Sequence, residues 1–242
     1  MAVGALASIS TSEIIGRKMT ILLSNLVSVL GYLIINFSAS FGFLLLGRSI
    51  HCLGMGLGIM TSGVYLSEVT TVRLRGPLIG VSQSSTCLGE LIGTAICIFL
   101  PVKHLALTFI AHGLLAMLVV LFLPRSPHWL IRTNKRTEAE RSLMFLRGTK
   151  FPGVEHELTE IDACLVRENS LESVSLATGL KTRAFRCPLL IFSVIFSVLA
   201  LGGSETFVFY GPTIFSKLEV GVSASVLATL PWIGFTIGYA GH

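Results

Sequence analysis

From Met19 to Leu46 the chain carries no Lys, Arg, Asp or Glu. A run of about 20 apolar residues is long enough to cross a bilayer as a helix, and in lipid a helix satisfies its own backbone hydrogen bonds. Six more apolar segments occur, so the full set is Ala2–Ser12, Met19–Ala39, Phe43–Leu66, Pro77–Leu100, Leu105–Leu123, Pro188–Tyr210 and Val222–Gly241. Only 13% of the 242 residues are charged, against about 25% in a soluble domain. The expected fold is therefore an all-α membrane protein of about seven apolar helices, with the lipid bilayer as its surroundings. Ala2–Ser12 would cover only about 16 Å of a core near 30 Å, and it lacks the basic flank of a signal peptide. Val222–Gly241 has no downstream flank. Both ends are expected to be cut from a longer fold.

The net charge of +5 does not point to nucleic acid, because the basic residues lie in loops between apolar spans and belong to no docking module. Fifteen of the eighteen Lys and Arg fall in one set of loops, which includes Arg17, Lys18, Arg73, Arg75 and the long stretch Arg125–Arg186. The positive-inside bias makes that set cytoplasmic. Three parts follow: an N-terminal transmembrane part (1–124), a cytoplasmic helical linker (125–186) and the start of a second transmembrane part (187–242). In the linker, Thr137 and Glu140 form a capping-box pattern that opens a helix with Ala139, Leu143 and Leu146 on one stripe. Leu158, Ile161 and Leu165 make a second stripe, so two amphipathic helices are expected.

Ionisable residues inside lipid are costly and mark candidate functional positions. Arg48, Glu90 and Glu205 are the three acidic or basic ones here. Arg48 is expected to face a partner in the bundle; its alternative is to snorkel to the surface. Gln83, Thr86 and Glu90, at i, i+3 and i+7, share one helical face. Such a stripe lines a polar cavity that orients a solute, or else it bonds helix to helix. Gly54, Gly56 and Gly58 alternate on one helix, and Gly76/Gly80 and Gly89/Gly93 have small-xxx-small spacing; close helix packing is the expectation for all. Charges at the inner helix ends, Glu13, Arg17, Lys18, Glu68, Arg73 and Arg75, can form an ion-pair cluster that latches one side closed. No grouping of nucleophile, base and orienting residue occurs, and the five cysteines have no metal-ligand spacing. Neither catalysis nor a metal or other cofactor is expected.

Several motifs stand in a fixed order. Glu13-Ile-Ile-Gly16-Arg17-Lys18 resembles D-x-x-G-R-[RK], and Gly47-Arg48 opens the next long apolar helix. Tyr65-Leu-Ser-Glu68 with Arg73-Leu-Arg75-Gly76 resembles Y-x-[SG]-E followed by x-R-G. Pro124-Arg-Ser-Pro127-His-Trp129-Leu130 is similar to P-E-S-P-R-W-L, and Glu138-Ala-Glu-Arg-Ser-Leu143 with Leu146-Arg147-Gly148 to the E-A-x-x-x-L and L-R-G that follow it. Phe209-Tyr210-Gly-Pro-Thr-Ile214-Phe215 is similar to F-Y-x-x-x-I-F. Together they resemble the sugar-porter branch of the major facilitator superfamily, which includes glucose and insect trehalose transporters.

That resemblance implies a stretch from late in helix 2 to within helix 8 of a twelve-helix fold, and transport of a sugar by alternating access. It places Gln83 at a sugar-contacting position, with Glu90 on the same side. It aligns Glu205 with a cavity asparagine and puts Thr236 near another contact. Protons are a candidate co-substrate, because proton-coupled relatives pair the Arg48 position with an acid on helix 1. Two departures stand out. The helix 7 pattern Q-Q-x-S-G-x-N reads Leu199-Ala200-Leu-Gly202-Gly203-Ser-Glu205, without the paired glutamines. In the P-E-S-P-R motif Arg125 stands for Glu and His128 for Arg. A transporter-derived sugar sensor and a seven-span receptor are the alternatives, and sugar uptake separates them from a carrier. The expected membrane is the plasma membrane.

Overall fold

The structure, a computed structural model, describes residues 1–148, 153–170 and 182–201 together with positions 210, 213, 233 and 234. Among the described residues it is helical, in the order α1 (Ala2–Ile14), α2 (Arg17–Asn36), α3 (Phe41–Val69), α4 (Val72–Phe99), α5 (Val102–Phe122), α6 (Pro127–Arg132), α7 (Arg136–Arg147), α8 (Val154–Ser170) and α9 (Arg183–Leu201). The chain divides into two compact units, Met1–Val81 with Phe99–Ala163, and Ser82–Ile98 with Cys164–His242.

In the first unit α2 packs along α3 and against α5, while α1 lies on α3. Lipid is as apolar as leucine, so helices in a membrane gain little by burying leucines against each other and associate by close approach of small residues. The α2–α3 seam follows that rule. Thr20, Ser24, Ser28 and Gly31 lie on one face of α2, and Gly47, His51, Gly54, Gly58 and Thr61 on one face of α3. A Cβ on Gly31 would lie 2.6 Å from the His51 nitrogen and 2.8 Å from the Gly47 oxygen. One on Gly54 would lie 2.7 Å from the Ser24 oxygen. Neither position has room for a methyl group. The buried hydroxyls are satisfied within their own helices, Thr20 on the Gly16 oxygen at 3.0 Å, Ser24 on Ile21 at 2.8 Å and Thr61 on Leu57 at 2.8 Å. They therefore occupy the seam without the cost of an unmade hydrogen bond.

Gly54, Gly56 and Gly58 pack as expected, Gly54 and Gly58 on α2 and Gly56 on α1. The expectation for Gly76, Gly80 and Gly89 is not met among the described residues, since a Cβ on any of them would meet nothing within 4 Å. Among the described residues, three helices or parts of helices are long and apolar enough to cross a membrane: Arg17–Asn36, Phe41–Val69 and His104–Phe122. Helix α4 is as long but carries Ser82, Gln83, Ser84, Ser85, Thr86 and Glu90 in its middle, which dilutes its apolarity. It begins at Val72, not at Pro77, and holds that proline in its second turn.

Beyond α5 the chain builds two amphipathic helices, as expected. Ala139 and Leu143 on α7 are fully buried, and Val154, Leu158 and Ile161 on α8 nearly so. The capping box is a correction. Helix α7 starts at Arg136 with Lys135 as N-cap and no side-chain cap, leaving Thr137 inside the first turn. The cause lies one helix earlier. Asn134 takes a left-handed conformation (φ 58°), and Lys135 and Asn134 donate backbone N–H groups to Leu130 at 2.8 Å and Ile131 at 2.9 Å. That is a Schellman closure of α6. Its last residue, Lys135, is also the N-cap of α7, so the turn fixes where α7 begins.

The second unit contains the Ser82–Ile98 part of α4 and also α9. Helix α9 exposes Leu189, Leu190, Ile191 and Phe192. The segment expected to reach Tyr210 runs past α9 beyond the continuously described residues, and Val222–Gly241 lies outside all but Ile233 and Gly234 of them.

Candidate functional site

The charged end of the first unit is built where α1 turns into α2, where α3 ends and where α6 begins. Gly16 makes the first turn at φ 88°, a conformation that disfavours any side chain. A Cβ there would also lie 2.9 Å from the Trp129 ring. The turn directs Arg17 inward, where it meets Glu68 near the end of α3. The Nη2–Oε1 distance is 2.8 Å, Nε lies 3.0 Å from the same oxygen, and the side chains are 10% and 12% exposed. Arg17 Nη1 also donates to the Ser12 oxygen at 3.0 Å, which ties in the last turn of α1.

Glu68 uses its other oxygen to accept from Ser126 Oγ. Ser126 is the N-cap of α6 and accepts from the Trp129 N–H at 3.3 Å, with Pro127 in the first turn. Trp129 Nε1 returns to the Glu13 backbone oxygen at 2.9 Å, and Arg132 Nη1 reaches the Glu13 carboxylate at 3.2 Å. The Tyr65 hydroxyl donates to the Pro124 oxygen at 2.9 Å. One carboxylate, Glu68, thus joins the start of α2 to the start of α6, and Glu13 ties α1 to α6.

Two more contacts attach α7 and α8. Arg147 donates to both oxygens of Glu157, Nη2–Oε1 at 2.8 Å and Nε–Oε2 at 3.3 Å, and its Nη1 donates to the Val69 oxygen at 3.0 Å, capping the end of α3. Arg125 pairs with Glu138 at 3.3 Å on an exposed face. Arg125, which departs from the motif pattern, therefore has its counter-charge on α7.

Of the six charges expected in the cluster, the structure brings Arg17 and Glu68 together. Glu13 pairs with Arg132 instead of Arg17. Lys18 Nζ donates to the Leu121 oxygen at 2.8 Å. Arg48, Arg73 and Arg75 are exposed and make no ion pair among the described residues, so the bundle-facing partner expected for Arg48 is absent there. Ser126 and Trp129 were named only within a motif, and neither they nor Arg132 were expected in the cluster. The signal for Ser126 was present: serine followed by proline is a strong helix-start pattern. Gln83, Thr86 and Glu90 lie on the second-unit part of α4 and are exposed, with Thr86 Oγ1 donating to the Ser82 oxygen at 3.1 Å. Glu205 and Thr236 lie outside the described residues.

The model of the family described as "Sugar (and other) transporter" matches residues 1–238. The chain belongs to this family. Among its relatives, sugar transporter ERD6-like 6 of Arabidopsis thaliana is 32% identical over 94% of this chain and 46% of its own length. Facilitated glucose transporter member 6 of solute carrier family 2, from Mus musculus, is 30% identical over 90% of this chain and 43% of its own. The chain spans about half the length of the curated relatives it matches. The fold is that of the xylose transporter XylE from E. coli in a partially occluded inward-open conformation, with a TM-score of 0.65 over 98% of this chain and 72% of that one at 16% identity. A family match over residues 1–238 leaves the seven-span receptor without support.

Proposed function

We propose that the full-length protein carries a sugar, a hexose or trehalose, across a membrane by alternating access. The family match over residues 1–238 is the observation that carries this reading, and the polar face of α4 gives it a site. Gln83 offers an amide that both donates and accepts, and the Glu90 carboxylate offers acceptors; a sugar hydroxyl needs both kinds of partner. Thr86 lies between them on the same face, and Glu205 and Thr236 complete the proposed contacts. Both the plasma membrane and a cytoplasmic position for the charged end, with the linker 125–186 beside it, belong to this reading.

The Arg17–Glu68 pair takes a different part from the latch expected of it. It joins α2 to α3, which are packed along their length. It is a brace that makes α2, α3 and α6 move as one body. Arg73 and Arg75 are the charges left to meet the rest of the transporter when that side closes. Uptake of radiolabelled glucose and trehalose into liposomes holding the full-length protein tests the proposal. Saturable uptake of one of them is expected; sugar binding without uptake would favour a sensor.

A further inference from the structure

Beside the Arg17–Glu68 pair lies a shallow cleft lined by Gly16, Lys18, Met19, Arg125 and Trp129. We propose that it binds the phosphate of an anionic phospholipid headgroup. Lys18 gives one of its three N–H groups to the Leu121 oxygen and has no carboxylate partner among the described residues. Arg125 lines the same cleft and gives one nitrogen to Glu138, keeping other donors of its guanidinium fork for an oxyanion. Helix α2 starts at this point with no acidic residue in its first turn, and the positive end of its dipole adds to the two cations. Two cations and a helix start therefore converge on one opening with too little negative charge.

The surroundings favour a lipid over a free anion. Met19 is 45% exposed, and the side chains of Leu121 and Phe122, on the last turn of α5 where Lys18 is anchored, are 57% and 76% exposed. Both α2 and α5 are candidate membrane spans, so this is the level at which headgroups meet acyl chains. Tryptophan is enriched at that level, and Trp129 forms one wall of the cleft. A lipid would place its phosphate on Lys18 and Arg125 and its chains along the apolar rim. This site is independent of which solute is carried.

Native mass spectrometry of the full-length protein in detergent, titrated with short-chain phosphatidylserine and separately with phosphatidylcholine, tests the assignment. Wild type is expected to prefer phosphatidylserine by more than about tenfold, since each basic residue near a charged headgroup contributes about fivefold. Lys18→Gln should lose about fivefold of that preference, Lys18→Arg should keep it, and Arg125→Glu should abolish it. Unchanged phosphatidylcholine binding in each variant serves as the check on folding. Excess inorganic phosphate should leave phosphatidylserine bound. Equal binding of the two lipids, a preference that survives Lys18→Gln and Arg125→Glu, or displacement by inorganic phosphate would each overturn the assignment.

Discussion

Arg17 and Glu68, 51 positions apart in the chain, meet at 2.8 Å with both side chains about nine-tenths buried. Removing one member of such a pair leaves the other charge buried alone, at a cost of about 3–5 kcal/mol. Glu68→Gln and Arg17→Leu in the full-length protein are therefore expected to lower both thermal stability and uptake, while the exposed pair member Glu138→Gln should cost less than about 1 kcal/mol. Melting temperature and uptake per molecule at the surface are the readouts. Equal, small effects for Glu68→Gln and Glu138→Gln would mean that the buried pair is not a brace.

The glycine seam makes a sharper claim about position. Gly31→Val and Gly54→Leu push side chains into backbone less than 3 Å away, where overpacking costs about 1–3 kcal/mol or more. Gly63, on the same helix as Gly54, has nothing within 4 Å, and alanine there should be neutral or gain up to about 1 kcal/mol of helix propensity. Surface expression should fall for the first two and hold for Gly63→Ala. The reverse order would show that α2 and α3 cross elsewhere.

Arg147 binds α8 through Glu157 and α3 through the Val69 oxygen. Arg147→Met keeps much of the apolar stem but loses both contacts, at about 1.5–3 kcal/mol for each hydrogen bond to the charged group. Hydrogen exchange should then rise across Arg136–Arg147 and Val154–Ser170 while α2 stays protected. Unchanged exchange in both helices would mean that their apolar stripes alone hold them.

The apolar runs and the two amphipathic stripes were legible in the sequence because they depend on period and length, which are local. Met19–Ala39 became α2 with its ends moved by a few residues, and Leu143 and Leu158 point inward as their spacing implied. The network around Glu68 was only half legible. Charge at helix ends marked Arg17 and Glu68, but the choice of Ser126 as the third member depends on how α6 folds back onto the turn at Gly16. Thr137 misled for a related reason: its capping pattern is sound locally, yet the Schellman turn at Asn134 had already set the start of α7. The packing of Gly31 on Gly47 was not foreseen, because they lie on different helices and meet only in three dimensions.

On α4, Glu90→Ile removes a carboxylate from the proposed site while restoring an apolar residue at membrane depth. Sugar affinity should fall about tenfold or more, as when a buried site loses a hydrogen-bonding partner, with surface expression equal to wild type or higher. Gln83→Leu should act in the same direction. Unchanged affinity in both variants would remove this face from the site.

Counterflow tests carriage by alternating access most directly. Liposomes holding the full-length protein are loaded with unlabelled glucose or trehalose, and entry of a trace of the same labelled sugar is followed. A carrier that must reorient with its site loaded or empty should accumulate label transiently above its equilibrium level, and loaded vesicles should take it up faster than empty ones. Entry at the same rate with or without internal sugar would indicate a pore, and binding without entry a sensor; either result would contradict alternating access.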